Sequence, residues 1–104
     1  MGKQKVIYIA GRISGEPGYK EAFRQAATEL RTRGFVVLNP ATLPSALDNG
    51  RAMKICMAMI DQADAVFFMA GWNLSVGAQL ELAYCKYTGK PYSLTMDELE
   101  VLSE

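Results

Sequence analysis

Short apolar runs alternate with stretches of helical period along the whole of this chain, and that alternation restricts the fold more than any other feature. Val6-Ile7-Tyr8-Ile9-Ala10 is a β-branched and aromatic run that stops at Gly11, the composition of a buried strand. From about residue 18 to residue 33, Tyr19, Phe23, Ala26, Ala27 and Leu30 recur at helical spacing. Lys20, Arg24, Glu29 and Arg31 lie opposite them, which predicts an amphipathic helix with Gly34 as its left-handed stop. Phe35-Val36-Val37-Leu38 predicts a second buried strand closed by Asn39-Pro40. Residues 39–50 read as a loop rich in turn formers. A second helix is expected from about Arg51 to Gln62 and a third strand over Ala65 to Met69. Ser75 is a good N-cap for a third helix reaching about Thr88. Tyr92-Ser93-Leu94 reads as a short fourth strand, and Asp97 to Glu104 as one more helical turn.

Strands alternating with helices predict a parallel sheet covered on both faces through right-handed crossovers. The expected architecture is a single domain over residues 1–104, a small flavodoxin-like α/β three-layer sandwich with a four-stranded parallel sheet ordered 2-1-3-4. Ligands of such folds sit beyond the carboxyl ends of the strands, where the strand order reverses. The loops after strands 1 and 3 therefore form the candidate site.

Composition narrows the chemistry available there. The chain has no histidine, so a Ser-His-Asp triad, a Cys-His dyad and a His-ligated zinc site are excluded. Acid–base work falls to carboxylates, tyrosines, a cysteine, water or the substrate itself, and no metal or cofactor is called for. Eleven basic residues balance eleven acidic ones. No global field attracts a nucleic-acid polymer or an anionic membrane, and an anion must be held by local geometry. Cys56 and Cys85 make no secreted-type disulfide framework. No apolar run approaches the roughly 20 residues of a membrane span, and the strand-like start is too short for a signal peptide, so a cytoplasmic protein is expected.

Two segments carry the functional signal. Gly11-Arg12-Ile13-Ser14-Gly15 follows the first strand directly. Its glycines permit close backbone approach, and Arg12 and Ser14 lean it toward an anion; a tight strand-to-helix turn accounts for the glycines equally well. Neither a P-loop nor the dinucleotide fingerprint fits its spacing. The second segment runs from Gly71 to Glu81. Ser75 can cap the helix or offer its hydroxyl to an anion at the positive helix end, and Gly77 in the first turn is unfavourable by about 1 kcal/mol relative to alanine. Glu81 follows Gly77 by one turn, about 6 Å along the axis, close to the reach from a nucleotide's 5′-phosphate to its anomeric carbon. Spacing alone favours Glu81 as a solvated helix residue over a reactive one. Trp72 suits base stacking or interface packing alike, Asn39 stands at a carboxyl strand end, and Asp64, at the opposite end of strand 3, reads as structural.

Together these segments resemble the nucleoside 2-deoxyribosyltransferase-like superfamily, including the 2′-deoxynucleoside 5′-phosphate N-hydrolases. The shared patterns are Y-x-x-G-x-I-x-G at Tyr8 to Gly15, S-x-G-x-x-x-E at Ser75 to Glu81, and Ala63-Asp64 before strand 3. The G-W-x-x-S-x-G-A stretch, Gly71 to Ala78, is similar to that of short phage and prophage relatives. The resemblance spans residues 5 to about 92. It implies that Glu81 attacks or stabilises C1′ of the sugar, that Ser75, Gly77 and the Gly11–Gly15 loop hold the phosphate, and that Tyr8 lines the site. One departure stands out: the glycosidase relatives carry an acid/base aspartate eight residues before the Asp64 position, and here that residue is Cys56, a poor general acid. Arg12 also replaces a small residue common in the hydrolases.

Two functions follow as expectations. The first is an N-glycosidase or base-exchanging transferase acting on a small (deoxy)nucleotide, with Glu81 as nucleophile. The second is a non-catalytic nucleotide-binding protein, such as a phage protein sequestering a host nucleotide-derived immune signal. Helix 51–62 presents apolar residues on two adjoining stripes, which predicts a homo-oligomer formed through that helix.

Overall fold

The chain, in a computed structural model that describes residues 4–102, begins with strand β1 (Val6–Ala10), helix α1 (Tyr19–Thr32) and strand β2 (Val36–Leu38). Helix α2 (Asn49–Gln62), strand β3 (Ala65–Phe68), helix α3 (Val76–Thr88), strand β4 (Tyr92–Ser93) and helix α4 (Met96–Leu102) follow. Single 3-10 turns at Pro40–Thr42 and Trp72–Leu74 occupy the stretches expected as loop and turn. All pairings are parallel and the sheet order is β2-β1-β3-β4, the flavodoxin-like arrangement that alternation of the elements implies. The expected last helical turn begins at Met96; residues 103 and 104 of that expectation lie outside the described residues.

Period-two alternation along the two central strands sorts the core into two layers. Ile7 and Ile9 of β1 and Ala65 and Phe67 of β3 face Phe23, Ala27 and Leu30 of α1 and Leu99 of α4. Tyr8, Ala10, Val66 and Phe68 face the other way, against Cys56 and Ile60 of α2 and Cys85 of α3. Both strands are covered on both faces, as parallel strands require. β2 lies at the sheet's edge, as the expected order has it, but it is less buried than expected: Val36 is 41% exposed, and the buried Phe35 precedes the strand. The end of α1 is the expected glycine stop. Gly34 sits at φ +96, its N–H donates to Arg31 and that of Phe35 to Leu30, the paired closure that a left-handed residue makes possible.

The apolar character of α2 finds its partners mainly inside the domain. Cys56 and Ile60 are buried, Met57 and Met59 pack against them, and Ala52 and Met53 line a cleft described below. Of its large apolar side chains only Ile55 remains exposed. The first turns of the helix thus line the cleft and the later turns pack on the sheet, so both stripes find cover within the domain apart from Ile55. Exposed apolar side chains instead follow α3, at Val76, Leu80 and Tyr87. Among the described residues no helix is long and apolar enough to cross a membrane.

Asp64 is structural, as its position suggests. Its carboxylate accepts the Val6 N–H at 2.7 Å, and its own N–H donates to the Val6 carbonyl at 2.7 Å, so it extends the β1–β3 ladder past the last paired residue. Replacing Asp64 by alanine is expected to destabilise the domain by about 1.5 kcal/mol in urea titrations, the worth of one hydrogen bond to a charged acceptor, without altering ligand affinity.

Candidate functional site

β1 and β3 are neighbours whose following connections run to opposite faces of the sheet, and the crevice opened there is the place where α/β sheets hold ligands. A cleft of about 420 Å³ lies at that point, within the usual range of small-molecule sites. Tyr8 and Glu81 stand on its lining, with Gly11 to Ser14 along one side and Leu74 to Ala78 along another. Asn49, Ala52, Met53 and Cys56 of α2 form the facing wall, and Pro40 closes the rim.

Glu81 lies on the buried stripe of α3, in line with Ala78 and Cys85, rather than on its solvated face. It is 4% exposed, and its Oε2 accepts a hydrogen bond from the Tyr8 hydroxyl at 2.7 Å. Tyr8 reaches it because Tyr8 is on the β1 face that α3 covers. The Cys56 thiol lies beside both groups and interacts with each electrostatically. Burial raises the Glu81 pKa to about 7, against the pull of the Tyr8 hydroxyl and of Cys56, which favour the charged form. Burial, then the adjacent Glu81, push the Tyr8 phenol well above its usual value, and burial likewise raises the Cys56 thiol. Tyr8 and Cys56 are thus neutral groups around one carboxyl that titrates near neutrality.

The other end of the cleft suits an anion. Ser75 caps α3, its Oγ accepting from the Ala78 N–H at 3.1 Å, which leaves the hydroxyl hydrogen free for an acceptor in the cleft. The amides of Val76 and Gly77 belong to the first turn, where no intrahelical acceptor exists, and both residues line the cleft. Arg12 is the one cation among the described lining residues. Its guanidinium stands 4.0 Å from Glu16, the outer limit of an ion pair between half-exposed groups and worth little.

The glycines have a different origin from the one their motif suggests. A Cβ at Gly11 would stand 3.1 Å from the Phe23 ring and 3.3 Å from the Met69 sulfur, so Gly11 is fixed by packing. At Gly77 the tight neighbour is the Met53 methyl at 3.2 Å, the end of a flexible side chain that reaches over from α2, and the residue lines the cleft. Gly15, at φ +76, makes the turn after the loop and is off the cleft lining.

Two further expected contacts also fall elsewhere. Asn39 accepts from the Ala41 N–H at 2.9 Å and starts the 3-10 turn; its neighbour Pro40 lines the cleft instead. Trp72 packs edge-on against Phe68 with ring centroids 5.7 Å apart and joins the α2/α3 core layer, so its ring completes the core rather than the lining. Asp48, the acid nearest α2 in sequence, caps that helix through Arg51 N at 2.8 Å and does not line the cleft. Sequence reasoning passed over Met53, Ala52 and Asn49 as site residues. The signal for Ala52 and Met53 was the apolar stripes of α2, present in the sequence but assigned to an interface; Asn49, in the first turn of the helix, carried none.

The family model described as Domain of unknown function (DUF4406) matches residues 5–93, from just before β1 to the last residue of β4, and the chain belongs to that family. No curated protein matches it.

The raised Glu81 pKa links stability to pH. Unfolded, a glutamate titrates near 4.5; folded, this one titrates near 7. Between those values the folded state binds more protons, so stability falls as pH rises through the interval and levels off above it. Glu81→Gln is expected to flatten that slope and to gain on the order of 3 kcal/mol at pH 8 over the wild type, read from denaturation midpoints at pH 5 and pH 8.

Proposed function

We propose that this member of the DUF4406 family binds a small nucleotide in the cleft and holds it without cleaving it. The observation that carries this reading is that Glu81 is the one carboxyl group among the described residues lining the cleft. Cleavage of a glycosidic bond divides two duties between two groups, one meeting the developing cation at the sugar and one protonating the leaving atom. Glu81 can serve the first. For the second, the position that faces it carries the Cys56 thiol, whose proton burial holds more tightly than usual, and Tyr8 is a weaker acid still.

The features that remain favour capture. Arg12, Ser14, Ser75 and the first amides of α3 receive the phosphate, while Ile13, Met53 and Ala52 supply apolar walls for sugar and base. Near neutral pH, Glu81 can accept from a sugar hydroxyl or, when protonated, donate to it. Capture without turnover suits sequestration of a cytoplasmic nucleotide-derived signal, as by a phage protein that withholds such a signal from a host defence.

The Glu81–Tyr8 pair favours a second reading, an N-glycosidase or base-exchanging transferase in which the carboxylate attacks C1′ and water or the substrate provides the proton. The two readings separate in one experiment. A panel of nucleoside and deoxynucleoside 5′-monophosphates is incubated with the protein, melting temperature is measured, and the small molecules are analysed by chromatography. The expected outcome is a raised melting temperature with the nucleotide recovered intact; free base that disappears with Glu81→Gln overturns capture and establishes the enzyme. Arg12→Ala is expected to weaken binding about tenfold, the loss of one charge-assisted contact, with the circular dichroism spectrum unchanged.

A further inference from the structure

The cleft has a neighbour. A second hollow of about 160 Å³ lies between the start of α1 and the loop after β3, and it shares Arg12 and Leu74 with the cleft. Tyr19 and Ala22 of α1, Met69 and Gly71 form the body of this hollow, with Glu16 at its polar side. Tyr19 is half-buried, its ring set edge-on to Phe23 at a centroid distance of 6.5 Å, so its place is fixed by the core layer beneath α1. An anion at Arg12 therefore stands at the junction of two spaces. A phosphate ending a nucleotide would occupy one of them and leave the other to water.

We infer that the hollow is a second subsite for the same ligand, and that the ligand's phosphate is a bridge, esterified or anhydride-linked on its far side to a second ring-bearing group. This rests on the nucleotide-binding reading and narrows it to phosphate-bridged compounds such as dinucleoside diphosphates. The volumes fit that division. The cleft has room for a nucleoside with its phosphate, whereas the hollow has room for one ring system. Its chemistry fits as well. Tyr19, Met69 and Leu74 offer apolar and aromatic contact to a flat group, Glu16 offers an acceptor to a ring N–H or a sugar hydroxyl, and Gly71, at φ +89, has no side chain to narrow the space. Arg12, weakly engaged with Glu16, is placed to meet the bridging phosphates that link the two halves.

The test compares the 5′-monophosphates of adenosine, guanosine, cytidine and uridine with the corresponding symmetric dinucleoside diphosphates, by titration calorimetry on the full chain. The expected result is that at least one diphosphate-linked compound binds about tenfold or more tightly than its monophosphate. Ala22→Trp, which fills the hollow from α1, should reduce that affinity to the level of the monophosphate; Tyr19→Ala, checked for folding by its melting curve, should reduce it in the same direction. Equal affinity for the two series, or an advantage that survives both substitutions, overturns the second subsite and leaves nucleotide capture standing. Absence of binding by either series overturns both.

Discussion

Burial of the Glu81 carboxyl against the Tyr8 hydroxyl is the constraint from which the rest of this molecule's character follows. The glutamate occupies a position on α3 that the helical period reserves for packing, between Ala78 and Cys85. An apolar residue there would complete the α2/α3 layer without penalty. A carboxyl instead raises its own pKa to about 7, a shift equivalent to an order of 3 kcal/mol against the charged form at high pH, in a domain whose whole stability is on the order of 5–15 kcal/mol. A group kept at that disadvantage, at the bottom of a cleft, is a candidate functional residue. Its one short hydrogen bond comes from a strand residue, so strand register and acid geometry are a single problem: slipping β1 by one residue would turn Tyr8 to the α1 side and leave the carboxyl without its donor.

This also explains which features were legible in the sequence and which were not. The strands, the helices and their order follow from periodicity, because a doubly covered parallel sheet imposes continuous apolar runs and the helices above it impose a 3.6-residue period. Asp64 could be assigned to structure because it stands at the wrong end of β3 for a ligand. The face on which Glu81 lies was less accessible: the inward stripe of α3 mixes Ala78, Glu81 and Cys85 while Val76, Leu80 and Tyr87 point outward, so hydrophobicity alone misdirects. Trp72 and Asn39 failed for a related reason. Being near the end of a strand does not determine where a side chain points; Trp72 turns back onto Phe68, and Asn39 spends its side chain on its own turn.

The two motif glycines show that one pattern can have a physical origin other than the obvious one. Gly11 and Gly77 sit where a ligand might be expected to need bare backbone, yet the atoms that would strike an added Cβ are Phe23, Met69 and Met53. The absent side chain at Gly11 leaves room for Phe23 of α1 and for Met69, and that at Gly77 leaves room for the Met53 methyl. The Met53 methyl reaches across from α2 toward Gly77 in the first turn of α3, and Cys56, one turn further along α2, lies beside Glu81 and Tyr8. The two helices face each other across the cleft, with Tyr8, Cys56 and Glu81 all on its lining.

The Cys56 thiol, rather than a second carboxylate, beside Glu81 has two coupled consequences. Two carboxylates close together would repel each other and any phosphate placed nearby, and one of them would stay protonated to relieve the conflict. With a thiol in that place the cleft carries one acid that is neutral in part of the population near pH 7, one guanidinium at Arg12, and the positive end of α3. That balance supplies no second carboxyl to donate a proton, and it presents a smaller electrostatic obstacle to an anionic ligand than two carboxylates would. On the proposed reading, the single acid at the base and the guanidinium with the helix end at the mouth act together, which is why capture fits this charge arrangement more directly than catalysis does.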